Sequence, residues 1–376
     1  MRLLATSSLL LAGALLVACP SNRQAGGDGG GGGGGASGDV CDLDGVEVGV
    51  PDEVASNDDG AAPDLSCIGS PVQVEAPHNL TLEGCVDIFG TGSRASSGTE
   101  VAVFSADSDP HDGTPIATTT IALVDDSTEL RGTCSRSGTP CGPTERCVVD
   151  ANAGRDDGFC DCRTGPDADA PACRAYECSS EGFYRFEGSI PSNTPVTMRI
   201  TNPTDDTVVD TYIWGLVPVD ALAVDDVFTY NAALIYASTY QSISVLAGKA
   251  PDGYRDLTDG QGNGAIAGEI HDCSDTIVGG AVVGLDDFDR FTMAITYFDG
   301  AADPHPDTRR TSTASDGLYA IMNVPTDVEH TVVAGVRDPA CTGDDCSCLS
   351  LGSRKVRAYP DSVSIVTLRG DFPAHP

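Results

Sequence analysis

The sequence contains very little positive charge. Only two lysines, Lys249 and Lys355, occur in 376 residues, and 21 Lys+Arg stand against 56 Asp+Glu, which gives a formal net charge of −35. Nucleic-acid binding requires a basic surface that releases counterions from phosphates, so this composition excludes that class of protein. It also argues against docking on an anionic membrane through basic side chains.

Long apolar runs and aromatic residues are scarce as well. The apolar run Leu9–Val17 is shorter than the roughly 20 residues that a membrane-spanning helix needs. Aromatic residues make up 6% of the chain, yet hydrophobic residues in total reach 40%, which is enough for a buried core. The 44 glycines and 23 prolines favour turns and strands over long helices.

The N-terminal 18 residues have the pattern of a signal peptide. Leu16–Cys19 resembles the bacterial lipobox, in which cleavage precedes a cysteine that then carries lipid. The resemblance implies a lipid anchor on Cys19, and Pro20 in place of an aspartate favours sorting to the outer membrane. A plain secretory signal followed by a chance cysteine is the alternative interpretation.

A glycine-rich segment follows the candidate lipid anchor. Nine of the ten residues in Gly26–Gly35 are glycine, which gives no side chains that could pack into a core. We expect residues 19–40 to comprise the lipidated cysteine and a disordered tether, in which Ser21–Asp39 has a root-mean-square span of roughly 25 Å.

Cysteine is abundant, with 15 residues, and 14 remain when Cys19 is set aside. An even number in an exported chain predicts disulfides. Eight of these cysteines form two sets of four, which suggests two disulfides within each set without choosing the partners. The first set is Cys41, Cys67, Cys85 and Cys178, and the second is Cys273, Cys341, Cys346 and Cys348.

The other six cysteines cluster in residues 132–173. They are Cys134, Cys141, Cys147, Cys160, Cys162 and Cys173. The step from Cys160 through Cys162 to Gly165 resembles that of epidermal-growth-factor-like modules. The resemblance implies the pairs Cys134–Cys147, Cys141–Cys160 and Cys162–Cys173, although the acidic calcium-binding prelude of that family is missing. A zinc knuckle is the competing interpretation.

The rest of the chain has the alternation of half-buried strands. Val196–Thr201, Val101–Phe104 and Val363–Ile365 alternate apolar and polar residues with period two. One helix is predicted at Ser238–Ala247, with Ser238 and Gln241 as a capping box and Gly248 as the stop. We expect this helix to lie in a linker.

Two parts of the sequence repeat each other. An acidic-Gly-x-Tyr pattern opens both Glu181–Phe186 and Asp316–Ile321, and each is followed by a hydrophobic-Pro turn and a strand. Upstream, Leu82–Asp87 parallels Ile266–His271. These matches predict an internal repeat of roughly a hundred residues. The glycine suits a turn with positive φ, and the tyrosine suits a strand face over the core.

The second copy resembles a known family more closely. Its motifs are Gly268-x-Ile270-x-Asp272, Val278–Val283, Thr313-x-x-Asp316-Gly317-x-Tyr319 and Asn323–Pro325. In this order they resemble the carboxypeptidase regulatory-like domain, which implies a prealbumin-like β-sandwich. We therefore predict an all-β fold of two tandem prealbumin- or Ig-like sandwiches. The predicted boundaries are 41–218 with the cysteine-rich insert, 219–263 as a linker, and 264–376.

No recognisable catalytic motif occurs in the sequence. None of the six histidines belongs to H-E-x-x-H, and G-x-S-x-G and P-loop motifs are missing. Intradiol dioxygenases share the prealbumin-like fold and hold iron with two tyrosines and two histidines. Tyr297, Tyr319 and His330 are present here, but the family's His-x-His pair is not. We expect no enzyme and no cofactor.

Calcium binding by the acidic clusters is the alternative to their interpretation as solvated charge. They are 42–45, 57–59, 286–289 and 303–307, and none completes an EF-hand loop. The sequence as a whole predicts a non-enzymatic, lipid-anchored envelope protein at the outer membrane or cell surface that binds protein or glycan. A periplasm-facing accessory subunit and an envelope enzyme with an unrecognised site are the alternatives.

Overall fold

In the computed structural model, the regular secondary structure of the described residues is β-strand apart from one short helix. The candidate lipid anchor and tether lie outside the described residues, as do Cys141, Cys162, Cys173, Cys178, Cys341 and Cys346. The described residues are 40–57, 60–69, 75–89, 93–94, 98–121, 133–135, 146–149, 157–161, 182–220, 223, 226–248, 262–301, 304–326, 328–339 and 348–370.

The strands of the first half precede the helix. Three short strands open the chain, namely β1 (Val40–Leu43), β2 (Val46–Gly49) and β3 (Ser56–Asn57). The first half then contains β4 (Asn79–Ile88), β5 (Ser93–Arg94), β6 (Glu100–Ser105), β7 (Ala117–Thr120), β8 (Thr133–Ser135), β9 (Arg146–Val149), β10 (Asp157–Asp161), β11 (Phe183–Pro191), β12 (Val196–Thr201), β13 (Val208–Val209), β14 (Thr211–Leu216), β15 (Val227–Thr229) and β16 (Ala232–Tyr236).

Helix α1 (Ala237–Leu246) precedes the strands of the second half. These are β17 (Gly264–Glu269), β18 (Val278–Gly279), β19 (Ala281–Leu285), β20 (Ala294–Phe298), β21 (Pro306–Asp307), β22 (Leu318–Val324), β23 (Glu329–Arg337), β24 (Cys348–Arg357) and β25 (Val363–Val366). The all-β prediction is confirmed, and β6, β12 and β25 cover the three segments in which the sequence alternates.

The helix lies where the sequence predicted it, but the predicted start at Ser238 with a capping box is wrong. The residue that precedes it is Tyr236, no side chain caps the first turn, and Ser238 lies inside the helix. The end agrees better, because Gly248 follows the last turn with a φ of 80°. The helix is therefore held by packing of Tyr240 and Ile243 rather than by a capping box.

One nine-stranded sheet runs through both halves, in the order β21-β20-β22-β17-β25-β14-β12-β6-β7. The junction is the parallel pairing of β14 from the first half with β25 from the second, in which Thr211 lies opposite Val363. The sheet of β11, β4, β16 and β13 completes the first sandwich, and β19, β23 and β24 complete the second.

The segment 219–263 is not merely a linker, contrary to the sequence prediction. Both β15 and β16 pair with β4 in parallel, so this stretch supplies two strands to the first sandwich. Strand β16 and helix α1 pack over the strands that the second repeat contributes to the nine-stranded sheet. A third apolar core forms there, which includes Ile235, Tyr240, Ala320 and Val363.

The N-terminal segment 40–69 also departs from the prediction, since it packs on the second sandwich rather than the first. Strand β3 pairs with β18, and Leu43, Val46 and Val48 form a small core with Val333. A hairpin with one apolar face needs such a partner, and the edge of the second sandwich supplies it.

Two disulfides fasten this segment among the described residues, Cys41–Cys348 and Cys67–Cys273. Each joins a cysteine of the first set to one of the second, so the predicted pairing within separate sets is wrong. Cys85 is also disulfide-bonded. In the cysteine-rich insert, β8, β10 and β9 form a three-stranded antiparallel sheet in which Cys160 lies opposite Cys147, and the three implied pairs there stay predictions.

The internal repeat has a shared structural basis. In the first copy, Gly84 of β4 lies opposite Tyr184 of β11, whose hydroxyl donates to the Tyr230 carbonyl oxygen at 2.6 Å. A Cβ on Gly84 would come within 1.8 Å of that oxygen, so only glycine permits this close approach.

The second copy has the same arrangement. Gly268 of β17 lies opposite Tyr319 of β22, which donates to the Val366 carbonyl oxygen at 2.8 Å. A Cβ on Gly268 would come within 1.9 Å of that oxygen. In the first copy the tyrosine thus holds the segment that joins β15 to β16 against the glycine. In the second copy it holds the end of β25 against the glycine. We call this arrangement the tyrosine lock.

Candidate ligand-binding cleft

A cleft of about 390 Å³ lies between the two halves. Its floor is the face of the long sheet formed by β14, β25, β17 and β22. Its roof consists of residues 228–235, Phe89 and the side chains of α1 that face the sheet. One tyrosine lock fixes the roof, because its acceptor Tyr230 belongs to the roof. The other lock fixes the floor, because its acceptor Val366 belongs to strand β25.

One end of the cleft is apolar. Small side chains on the floor, Ala265, Ala267 and Ala320, leave the space that a larger residue would fill. Phe298 and Tyr240 close this end, and both are buried. Removing such surface from water favours an apolar ligand by about 25 cal/mol per Å².

The opposite end contains four charged residues, Glu269, His271, Asp275 and Arg369. His271 Nε2 lies 3.0 Å from Glu269 Oε2, and its Nδ1 lies 3.0 Å from Asp275 Oδ1. Arg369 donates from Nη1 to the same Asp275 oxygen at 3.1 Å. We call these four residues the charged cluster.

The charged cluster shifts the pKa values of its members. Burial alone would lower the pKa of His271, but its hydrogen bonds to Asp275 and Glu269 outweigh burial and raise that pKa to about 9. Burial likewise would raise the pKa of Asp275, and the bonds to His271 and Arg369 lower it overall. At neutral pH the cluster therefore holds two cations and two carboxylates.

Uncharged polar groups complete this end of the cleft. Thr229, Asn231 and Thr367 line it, and Tyr230 lies beside the carboxylates. Burial and the charge of Glu269 raise the pKa of Tyr230, so its hydroxyl stays protonated. The roof thus adds hydrogen-bonding groups without adding charge.

A single polar atom interrupts the apolar end. Thr211 lines the cleft and is 1% exposed, and its Oγ1 has no hydrogen-bond partner within the described residues. A buried hydroxyl without a partner costs about 1–3 kcal/mol. The hydroxyl is therefore an uncompensated polar atom beneath the apolar end of the cleft in the described part of the chain.

The arrangement suits binding better than proton transfer. Both ring nitrogens of protonated His271 donate to carboxylates, so the imidazole has no lone pair with which to act as a base. A ligand at this end would meet the outer edge of a closed ionic network. The cleft can hold an apolar body and hydrogen-bond a polar head.

The residues of the dioxygenase alternative serve the second sandwich instead. Tyr297 accepts a hydrogen bond from the Val283 N–H at 3.0 Å, and Tyr319 forms its lock. His330 Nε2 lies 2.9 Å from the Pro325 carbonyl oxygen. All three side chains are buried, and each is engaged with backbone of its own sandwich.

Where the acidic clusters that suggested calcium are described, several of their carboxylates accept hydrogen bonds from backbone N–H groups. Asp42 accepts from the Gly45 N–H, Asp286 from Thr331 and Asp289 from Phe291. Asp58, Asp59 and Asp303 lie outside the described residues. Across the part of the chain that the structure describes, no group of three or more His, Cys, Asp and Glu residues converges as metal ligands do.

Sequence reasoning missed the charged cluster, although one signal was present. Glu269 and His271 are two residues apart around a strand end, and that spacing places both side chains on one face of a sheet. Asp275 and Arg369 carry no such signal, since Arg369 reaches the cluster only through the pairing of strands far apart in the chain.

Among the described residues, no helix combines the length and the apolar character that a membrane crossing requires.

No family model and no curated protein matches the sequence. Several solved structures are similar over most of their length. A mutant of the shaft pilin SpaA of Lactobacillus rhamnosus GG is 10% identical and covers 78% of this chain and 98% of its own, with a TM-score of 0.18.

Two further structures are similar to the same extent. A candidate carbohydrate-binding protein of Bacteroides uniformis ATCC 8492 is 10% identical, with coverage of 74% and 99% and a TM-score of 0.18. The major pilin T-13 of Streptococcus pyogenes serotype GAS131465 is 7% identical, with coverage of 80% and 100% and a TM-score of 0.15. These scores carry no functional argument, so function is argued from the cleft.

Proposed function

We propose that this chain is an exported, non-enzymatic binding protein that holds a small ligand in the cleft between its two repeats. The observation that carries the proposal is the cleft of about 390 Å³ with an apolar floor and four charged residues at one end. Concave, mostly apolar sites with a few convergent polar groups are typical of small-molecule ligands. The closed hydrogen-bond network of His271 supports binding over catalysis.

The sequence supports a place in the bacterial envelope. The lipobox-like Leu16–Cys19 supports a lipid anchor, and the glycine-rich residues after it support a flexible tether. Disulfides such as Cys67–Cys273 support an oxidising compartment. We place the folded body at the outer membrane or cell surface, where its loops can also meet protein or glycan partners.

Lipid anchoring is tested with Cys19→Ala. We expect the variant to lose processing and to leave the detergent phase in phase partitioning. A variant that is processed normally and still fractionates with membranes would refute the anchor. Protease treatment of intact cells tests orientation, since only an outward-facing body is removed.

Ligand binding in the cleft is tested with the uncharged dye Nile red and the purified folded chain. Ala267 is half-buried on the cleft floor, so Ala267→Leu fills the space with little change elsewhere. We expect it to weaken saturable dye binding by about tenfold or more. Ala301→Leu, on an exposed loop, is the matched control and should bind like the parent. Equal binding by both variants with unchanged melting would show that the cleft is not the site.

A further inference from the structure

We propose that the ligand of the cleft is a neutral amphiphile, with an apolar body on the sheet floor and a hydroxyl-bearing head at the charged cluster. This inference rests on the proposed function and adds the chemical class of the ligand. It follows from the length of the apolar floor, the unused hydrogen-bonding groups of the charged cluster and the balance of its charges.

The floor sets the size of the apolar body. Ala265, Ala267 and Glu269 follow one another on the same face of β17, so the apolar end and the first carboxylate lie four positions apart along the strand. At a rise of about 3.3 Å per residue this distance is roughly 13 Å. The neighbouring strand β25 repeats the order, with Val363 and Ile365 before Thr367. An extended chain or a flat ring system fits this strip.

The head must both donate and accept hydrogen bonds. Arg369 uses one N–H on Asp275, and its other N–H groups have no acceptor within the described residues. Glu269 and Asp275 each engage one oxygen, so each has a second oxygen without a donor in the described part of the chain. Hydroxyl groups satisfy both needs, because each one donates and accepts.

The balance of charge excludes an ionic head. Glu269 and Asp275 offset His271 and Arg369, and the roof contributes only the uncharged Thr229, Tyr230 and Asn231 at this end. An anion would also meet the field of a chain with a formal charge of −35. A cation would lie against Arg369, whose side chain is 12% exposed and whose guanidinium is always charged.

The experiment compares three probes with one tail and different heads, each below its micelle concentration, by calorimetry at pH 7 and low salt. They are octyl glucoside, octyl sulfate and octyltrimethylammonium, with glucose as the head alone. We expect the glucoside to bind about tenfold more tightly than either ion and glucose not to bind measurably. Equal affinity of all three octyl probes would overturn the head assignment while leaving the cleft as the site. If neither Nile red nor any octyl probe binds, the proposed function fails as well.

Variants that change the net charge of the cluster should strengthen the binding of one charged probe. A misfolded protein would lose binding rather than gain it. Glu269→Gln leaves the cluster one unit positive, so octyl sulfate should gain about tenfold relative to the glucoside. Arg369→Gln leaves it one unit negative, and octyltrimethylammonium should gain instead. Arg309→Gln is the control, because Arg309 is 88% exposed and pairs with Asp307 outside the cleft. Unchanged probe preference in both cluster variants would refute the inference.

Discussion

In each repeat a fully buried tyrosine crosses a glycine of the neighbouring strand and donates to a backbone carbonyl, Tyr184 to Tyr230 and Tyr319 to Val366. The surroundings of the two locks differ. When Gly84 is aligned with Gly268, Asp87 falls at the position of His271 and the disulfide-bonded Cys85 at that of Glu269. The same fastening therefore fixes the uncharged roof in one repeat and the charged end of the floor in the other.

The comparison teaches how a repeated scaffold gains a site between its copies. In both copies the close approach of a backbone carbonyl requires glycine, and the hydrogen bond to that carbonyl requires tyrosine. Both residues therefore occur in both copies. The residues one position to either side of the glycine face away from the lock, and there the copies are free to differ. The second copy uses that freedom for Glu269, and the continuous sheet through β14 and β25 brings the roof of the first copy over it.

Removing the tyrosine rings tests whether the two locks are equivalent, and has the largest expected effect. Tyr184→Ala and Tyr319→Ala should each lower the free energy of unfolding by about 3–5 kcal/mol, since both rings are fully buried. The measurement is urea unfolding of each variant.

Tyr184→Phe and Tyr319→Phe are the matched controls for the locks. Each loses only the hydroxyl and leaves a buried carbonyl without that donor, which costs about 1–2 kcal/mol. If the Tyr319 ring only filled space in the core, Tyr319→Phe would have almost no effect on stability. Because its hydroxyl donates to Val366, we expect a measurable loss instead. If one alanine variant cost little while the other unfolded the protein, the equivalence of the two locks would be refuted.

Removing a disulfide tests the asymmetry of the N-terminal segment, which fastens to the second sandwich. Cys67→Ser with Cys273→Ser should cost about 2–4 kcal/mol, because the bond constrains an unfolded loop of 206 residues. Hydrogen exchange should then speed up in β19, β23 and β24. Strands β6 and β12 provide the internal control, and an equal increase there would show that the segment does not act on the second sandwich specifically.

Much of the scaffold could be predicted from the sequence, because it is recorded in local patterns. The apolar-polar alternation predicts β12, and the acidic-Gly-x-Tyr pattern predicts the position of the tyrosine in both locks. The cleft could not be predicted, since its floor depends on β14 pairing with β25 some 150 residues later in the chain. Disulfide pairing failed for the same reason: counting cysteines contains no information about which segments pack together.

A pH series tests the charged cluster, whose four residues all belong to the second repeat. The folded-state pKa of His271 is raised to about 9 from 6.5, so its stabilising contribution is complete below pH 6.5 and is lost as pH rises through about 9. We expect the free energy of unfolding to fall by up to about 3 kcal/mol between these values. His271→Gln should flatten this slope, and a slope that persists in the variant would assign the effect to another group.

The smallest expected effect comes from a pair of buried threonines, one in each repeat. Thr211 has no hydrogen-bond partner within the described residues, whereas Thr313 donates to the Val278 carbonyl at 2.9 Å and accepts from the Ala281 N–H at 3.0 Å. Both are at most 1% exposed, so valine replaces the same shape in the same kind of surroundings.

The expected signs of these two substitutions are opposite. Thr313→Val leaves two backbone groups without their partner and should cost about 1–3 kcal/mol. Thr211→Val removes a hydroxyl that bonds to nothing and should raise the free energy of unfolding by up to about 1 kcal/mol. Urea unfolding of both variants in ligand-free buffer measures the difference. A loss for Thr211→Val as large as that for Thr313→Val would mean that the Thr211 hydroxyl is already satisfied in the folded chain, and the contrast between the two threonines would be refuted.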